Sequence, residues 1–247
     1  MLKKISNIFT LKYNPTKETG LAILLWLAVT GSMRIAFAFP VFEEISIFVF
    51  CSLLTYFILG IVLPVRLIKN VEEMGITKDK WKISLLISII FSSFLIIFPL
   101  SHCHFPKSSQ IFRLTILALC GCLFEAVFFR GYLQTRLEKA FGIIPSIFLA
   151  SICYALYHLS YPGWENLAAI RLLFFVGIMY STLFLFTRNI LILWPLSIPL
   201  GAMIDFFNHR LDITVYSTIG YLIILLIMVI YIFKIIVTIH HKPKFKN

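Results

Sequence analysis

An all-α, polytopic membrane bundle of about eight transmembrane helices is predicted by three observations: the composition, the length of the apolar runs and the placing of the cations. The 247 residues are 60% hydrophobic and only 13% charged, whereas soluble domains carry about 25% charged residues. Runs rich in Leu, Ile and Phe reach about 20 residues, the length a helix needs to cross a hydrocarbon core about 30 Å thick. A soluble fold is excluded.

The predicted spans are 20–39, 45–65, 83–101, 113–135, 143–161, 167–187, 189–208 and 213–237. They leave no room for a soluble domain, so residues 1–247 read as one integral membrane domain. The first span follows Lys3, Lys4, Lys12 and Lys17 and lacks a short apolar core ending in a small-residue cleavage site, so it is expected to be retained. The polar interval 66–82, with Glu72, Glu73, Lys78, Asp79 and Lys80, is expected to form a short surface helix and a turn.

A net charge of +11 would point to nucleic acid in a soluble protein. Here the cations report orientation instead. The N-terminal lysines, the 66–82 interval, Arg136 with Lys139, Arg188 and the tail Lys242, Lys244 and Lys246 all fall on one side of an eight-span chain. Glu43, Glu44 and Glu165 fall on the other, so the positive-inside rule puts both termini in the cytoplasm. The Lys-, Ile- and Phe-rich composition fits a bacterial plasma membrane, with lipid as the surroundings and no nucleic-acid partner.

Five cysteines make no disulfide framework; Cys51, Cys120, Cys122 and Cys153 lie in apolar spans and read as small packing residues. His102, Cys103 and His104 form a loop cluster whose plain interpretation is polar and whose sharper one is metal binding.

Of the eleven acidic residues, all but Glu125 and Asp205 lie in predicted loops, tails or helix ends. An ionised carboxylate inside a span costs several kcal/mol unless it is paired or hydrated. His158, the one histidine inside a span, and Arg130 join these two as candidates. Each alone could be structural, a pair or a capped carbonyl between helices. Their order and spacing point further: Glu125 and Arg130-Gly131 on span four, Tyr154 and His158 four apart on span five, and Gly201 and Asp205 four apart after Trp194-Pro195 on span seven.

This pattern resembles the CPBP family of intramembrane proteases, the CAAX-processing and bacteriocin-processing (Abi) enzymes, over about 113–209. Glu125 through Leu133 matches the family's EExxxR motif and its FRGYL continuation except at the second acid, which is Ala126. The FxxxH motif is present with Tyr154 for Phe, and i,i+4 spacing sets the ring and His158 on one helix face. The HxxxN/D motif keeps its polar end as Asp205 but has Gly201 in place of His; Asn208 and His209 follow close by.

The resemblance implies a glutamic-type endopeptidase whose substrate is a membrane-anchored protein or peptide. Glu125, aided by His158, would activate water, and Asp205, alone or through Asn208 or His209, would hold the water or the oxyanion. A carboxylate in an apolar setting keeps a proton more readily than in water, which suits a general base. No cofactor is expected. A zinc alternative would use Glu125, His158 and Asp205, but the sequence has no His-Glu-x-x-His helix. With Ala126 beside Glu125, Arg130 lacks its i−4 acid and is expected to find backbone carbonyls, to snorkel to the cytoplasmic boundary, or to meet a carboxylate from another helix. A catalytically degenerate partner-binding or immunity-type protein, and a transporter with its carboxylates in an ion path, are the competing function classes.

Overall fold

The computed structural model describes residues 10–38, 43–77, 79, 81–102, 108–160, 167–197 and 214–241. Among these the chain is all-helical. The helices are α1 (Lys17–Ala36), α2 (Glu43–Ser46, continuing through Ile47–Val62 to Leu63–Leu67), α3 (Trp81–His102), α4 (Ser108–Glu125, Ala126–Gln134, Thr135–Phe141), α5 (Ile143–Tyr157), α6 (Leu167–Thr187), α7 (190–197) and α8 (Val215–His241). Each predicted span overlaps one of them; of 189–208, the part after 197 lies outside the described residues. Six are long and apolar enough to cross a membrane, and with the matching pattern of apolar exterior this is a multi-pass membrane protein.

α1 begins earlier than predicted, at Lys17, because Thr16 and Thr19 form a reciprocal cap that satisfies the open N–H groups of the first turn. α4 begins at Ser108 and ends at Phe141, well outside the predicted 113–135. The interval 66–82 is also more than a surface connection. Val71–Met74 makes a single tight turn, closed by Gly75 at φ 77°, and Met74 and Ile76 are buried in the bundle. Gly131 of α4 permits this approach, since a Cβ there would lie 2.8 Å from the Met74 carbonyl oxygen.

Polar ties replace the hydrophobic drive that lipid removes between helices. Trp26 of α1 donates to the Cys153 carbonyl of α5 at 2.9 Å, and Trp194 of α7 to the Leu119 carbonyl of α4 at 2.9 Å. Ser84, Ser88 and Ser92 form an i,i+4,i+8 stripe along α3 that faces α7. Pro195 has no N–H and so leaves the Leu191 carbonyl without its helical partner; Ser88 Oγ supplies the bond at 2.9 Å. Ser92 donates likewise to the Pro195 carbonyl, and Ser84 accepts from Asn189 at 3.2 Å.

One end of the bundle gathers the ion pairs. Arg136 meets Glu18, Lys139 meets Glu73 at 2.6 Å, and Arg188 meets Glu138 at 2.7 Å. The start of α1, the 71–77 turn, the α4–α5 turn and the α6–α7 turn therefore lie on one face, the grouping the cation pattern predicts. Residues 10–14 lie against the same face, where Lys12 and Asn14 donate to the carbonyls of Phe141 and Ala140 at 3.1 and 2.9 Å. Gly142 (φ 95°) makes the turn and leaves room for Thr10.

Candidate functional site

Gly142 also sets the height of the candidate residues. α4 and α5 run antiparallel from this turn at similar rise per residue, so positions equally distant from it stand side by side. Glu125 lies 17 residues before Gly142 and His158 lies 16 after; Arg130 and Tyr154 each lie 12 away. Counted from the opposite membrane boundary, the same helices put Glu125 and His158 at different depths. The discrepancy disappears because α4 starts beyond the level at which α5 stops.

The geometry follows this register. His158 Nε2 is 3.7 Å from Glu125 Oε1, with the two side chains 12% and 18% exposed. The Tyr154 hydroxyl donates to Glu125 Oε2 at 3.2 Å. His158 Nδ1 lies 2.9 Å from the Tyr154 carbonyl oxygen, one of the acceptors left open where α5 ends. A carbonyl can only accept, so the bond assigns the proton of the neutral ring to Nδ1 and leaves Nε2 as an acceptor turned toward the carboxylate.

Glu125 is the last α-helical residue before α4 widens over Ala126–Gln134 to i→i+5 bonding, a local widening often found at functional sites. The added residue per turn rotates Arg130, five positions on, toward the face of Glu125. Both then meet Tyr154, whose ring lies 4.8 Å beneath the Arg130 guanidinium. Arg130 does not snorkel, and among the described residues its hydrogen bond goes to a side chain, not to a backbone carbonyl. It is 3% exposed and donates to Ser181 Oγ of α6 at 2.6 Å. Ser181 is held in turn by Gln134, which donates to its carbonyl at 2.9 Å.

Ser181 carries no motif signal. Its clue is the Gly177-x3-Ser181 spacing on α6, which lets backbones approach; a Cβ on Gly177 would lie 2.9 Å from Ser151 Cβ of α5. Asp205, Asn208 and His209 lie outside the described residues, as do Cys103 and His104. Two members of the zinc alternative, Glu125 and His158, are thus adjacent. Among the described residues no group of three or more His, Cys, Asp or Glu converges to hold a metal ion. Cys51, Cys120, Cys122 and Cys153 are buried thiols in no disulfide among the described residues.

Residues 107–196 match the family Rce1-like, described as type II CAAX prenyl endopeptidase Rce1-like. This segment is Rce1-like. It carries the CPBP resemblance visible in Glu125-x4-Arg130-Gly131 and Tyr154-x3-His158, and it contains every residue of the cluster just described. It runs from the start of α4 into α7 and ends before Asp205. No curated protein and no solved structure matches the chain. The match supports a protease-type function within the membrane.

Proposed function

We propose that the chain is an intramembrane endopeptidase that hydrolyses a peptide bond of a membrane-associated peptide or C-terminal segment with a glutamate-activated water. One observation carries the proposal: Glu125 Oε1 and His158 Nε2 face each other across 3.7 Å. Two acceptors at this separation are too far apart for a direct bond and suit a bridging water that donates to both. The water's oxygen then attacks the scissile carbonyl as one proton passes to Glu125. Collapse of the tetrahedral adduct breaks the C–N bond, and Glu125 returns the proton to the leaving amine.

Asp205, at the polar end of the third motif, is assigned to hold the water, with Asn208 and His209 supporting it, on sequence grounds. No metal or other cofactor is required by this scheme. The membrane is proposed to be a bacterial plasma membrane, with the ion-paired face and both termini in the cytoplasm and the catalytic core at about 113–209.

A second reading, partner binding without hydrolysis, is favoured by one observation: Arg130 meets a serine hydroxyl on α6 while the neighbouring acid of the family motif is Ala126. The test is cleavage of a panel of internally quenched membrane peptides, a prenylated CAAX peptide among them, in detergent and in liposomes. Wild type should cut at least one, and Glu125→Gln and His158→Ala should not. Processing unchanged in both variants favours the second reading, and loss with a chelator revives zinc.

A further inference from the structure

We infer that the Tyr154 hydroxyl is the hydrogen-bond donor for the scissile carbonyl's oxygen as it becomes an oxyanion, an inference that rests on the hydrolytic proposal above. Acyl transfer needs a base for the water and a donor where negative charge develops, and the donor often accelerates the reaction more than the base does. Tyr154 already serves the negative charge of the site, since its O–H donates to Glu125 Oε2 at 3.2 Å. The opposite oxygen, Oε1, faces His158, so imidazole and hydroxyl flank one carboxylate.

The charge moves during the reaction, and the hydroxyl is placed to follow it. When the water's proton reaches Glu125, the carboxylate loses its charge, and the π pair of the attacked C=O becomes a lone pair on oxygen. The hold of Oε2 on the phenolic proton weakens as that of the new oxyanion grows, and rotation about the C–O bond re-aims the donor. Tyr154 keeps its proton throughout; the proton that returns to the amine is the one on Glu125. The imidazole is ill suited to this task, since the bond from Nδ1 to the Tyr154 carbonyl leaves Nε2 an acceptor.

The ring is held for such use. Phe129 meets it edge-on at 5.4 Å, His158 at 4.6 Å, and the Arg130 guanidinium stands over its face at 4.8 Å. The sequence departures agree with it: Tyr154 adds a hydroxyl where the motif has Phe, and Gly201 lacks the imidazole the third motif has.

The experiment measures kcat and KM of wild type, Tyr154→Phe and Glu125→Gln on the peptide the wild type cuts, with unfolding in detergent as a check. Tyr154→Phe should lower kcat by about 10²–10³-fold with KM unchanged to within roughly threefold. Para-aminophenylalanine at 154, which restores a donor at the same place, should recover at least about a tenth of wild-type kcat; it also decides the matter if Tyr154→Phe does not fold. Wild-type kcat in Tyr154→Phe, an effect on KM alone, or no recovery with the amine overturns the inference and leaves the hydrolytic proposal intact if Glu125→Gln is inactive. An active Glu125→Gln overturns both.

Discussion

His158 is clamped by Tyr154 on one side and presents its Nε2 edge to Glu125 on the other: Nδ1 lies 2.9 Å from a backbone carbonyl, and Nε2 lies 3.7 Å from the carboxylate. The imidazole's orientation is thus fixed by the end of its own helix. Removing it should do more to the chemistry than to the fold. His158→Ala is expected to lower kcat/KM by about 10²–10⁴-fold with little change in unfolding temperature, measured on the same peptide panel; a loss of fold comparable to the loss of rate would mark His158 as structural.

Ser88 supplies the bond that Pro195 denies to the Leu191 carbonyl. Ser88→Ala should therefore destabilise the bundle by about 1 kcal/mol. Ser93→Ala is the internal control, since Ser93 is exposed and bonds within α3, to Ile89 at 2.8 Å. Equal SDS-unfolding midpoints for the two variants would contradict this account of the serine stripe.

Gly131 sits where the 71–77 turn is pressed against α4. With Met74 backbone oxygen 2.8 Å and Met74 Cβ 3.2 Å from the position of an added Cβ, Gly131→Ala should cost about 1–3 kcal/mol and expose the turn to protease. Gly31→Ala, in open space on α1, should leave both stability and the proteolysis pattern unchanged.

The ion pairs differ in burial, and the difference predicts an asymmetry. Arg136 is 4% exposed and its partner Glu18 46%, so Glu18→Gln strands a cation that water reaches poorly. Lys139 and Glu73 are 56% and 37% exposed, a pair of the kind worth about 0–1 kcal/mol. Glu18→Gln should lower the unfolding midpoint, and Glu73→Gln should not, in parallel thermal scans at low salt.

Much of this bundle is legible in the residues. Apolar run length gives the position of each helix, and the cation pattern gives the face on which the turns at 71–77, 141–143 and 188–189 meet. The extent of α4 is less legible, since polar residues at its two ends belong to a helix longer than its apolar run, and at one of them Glu138 is held by an ion pair with Arg188. The Glu125–His158 pairing follows from counting outward from Gly142, whereas counting from the far boundary misleads, because helices in one bundle need not end at one level. The role of Ser181 is hidden for another reason: its spacing from Gly177 marks a packing position, and nothing in the sequence brings a buried guanidinium from another helix against it. The widened turn after Glu125 has no sequence signature, so the shared face of Glu125, Arg130 and Tyr154 is a product of three-dimensional structure.

The face that gathers Arg136, Lys139 and Arg188 has a temporal consequence. While a polytopic chain is being threaded into the bilayer, cations act singly, as signals that hold their loops back on one side. Glu138 and Arg188 are separated by two whole spans, α5 and α6, so their bond waits until both have been inserted. On the orientation proposed above, the guides of the nascent chain thus become the fasteners of the finished one, and a cation replaced here would be missed twice.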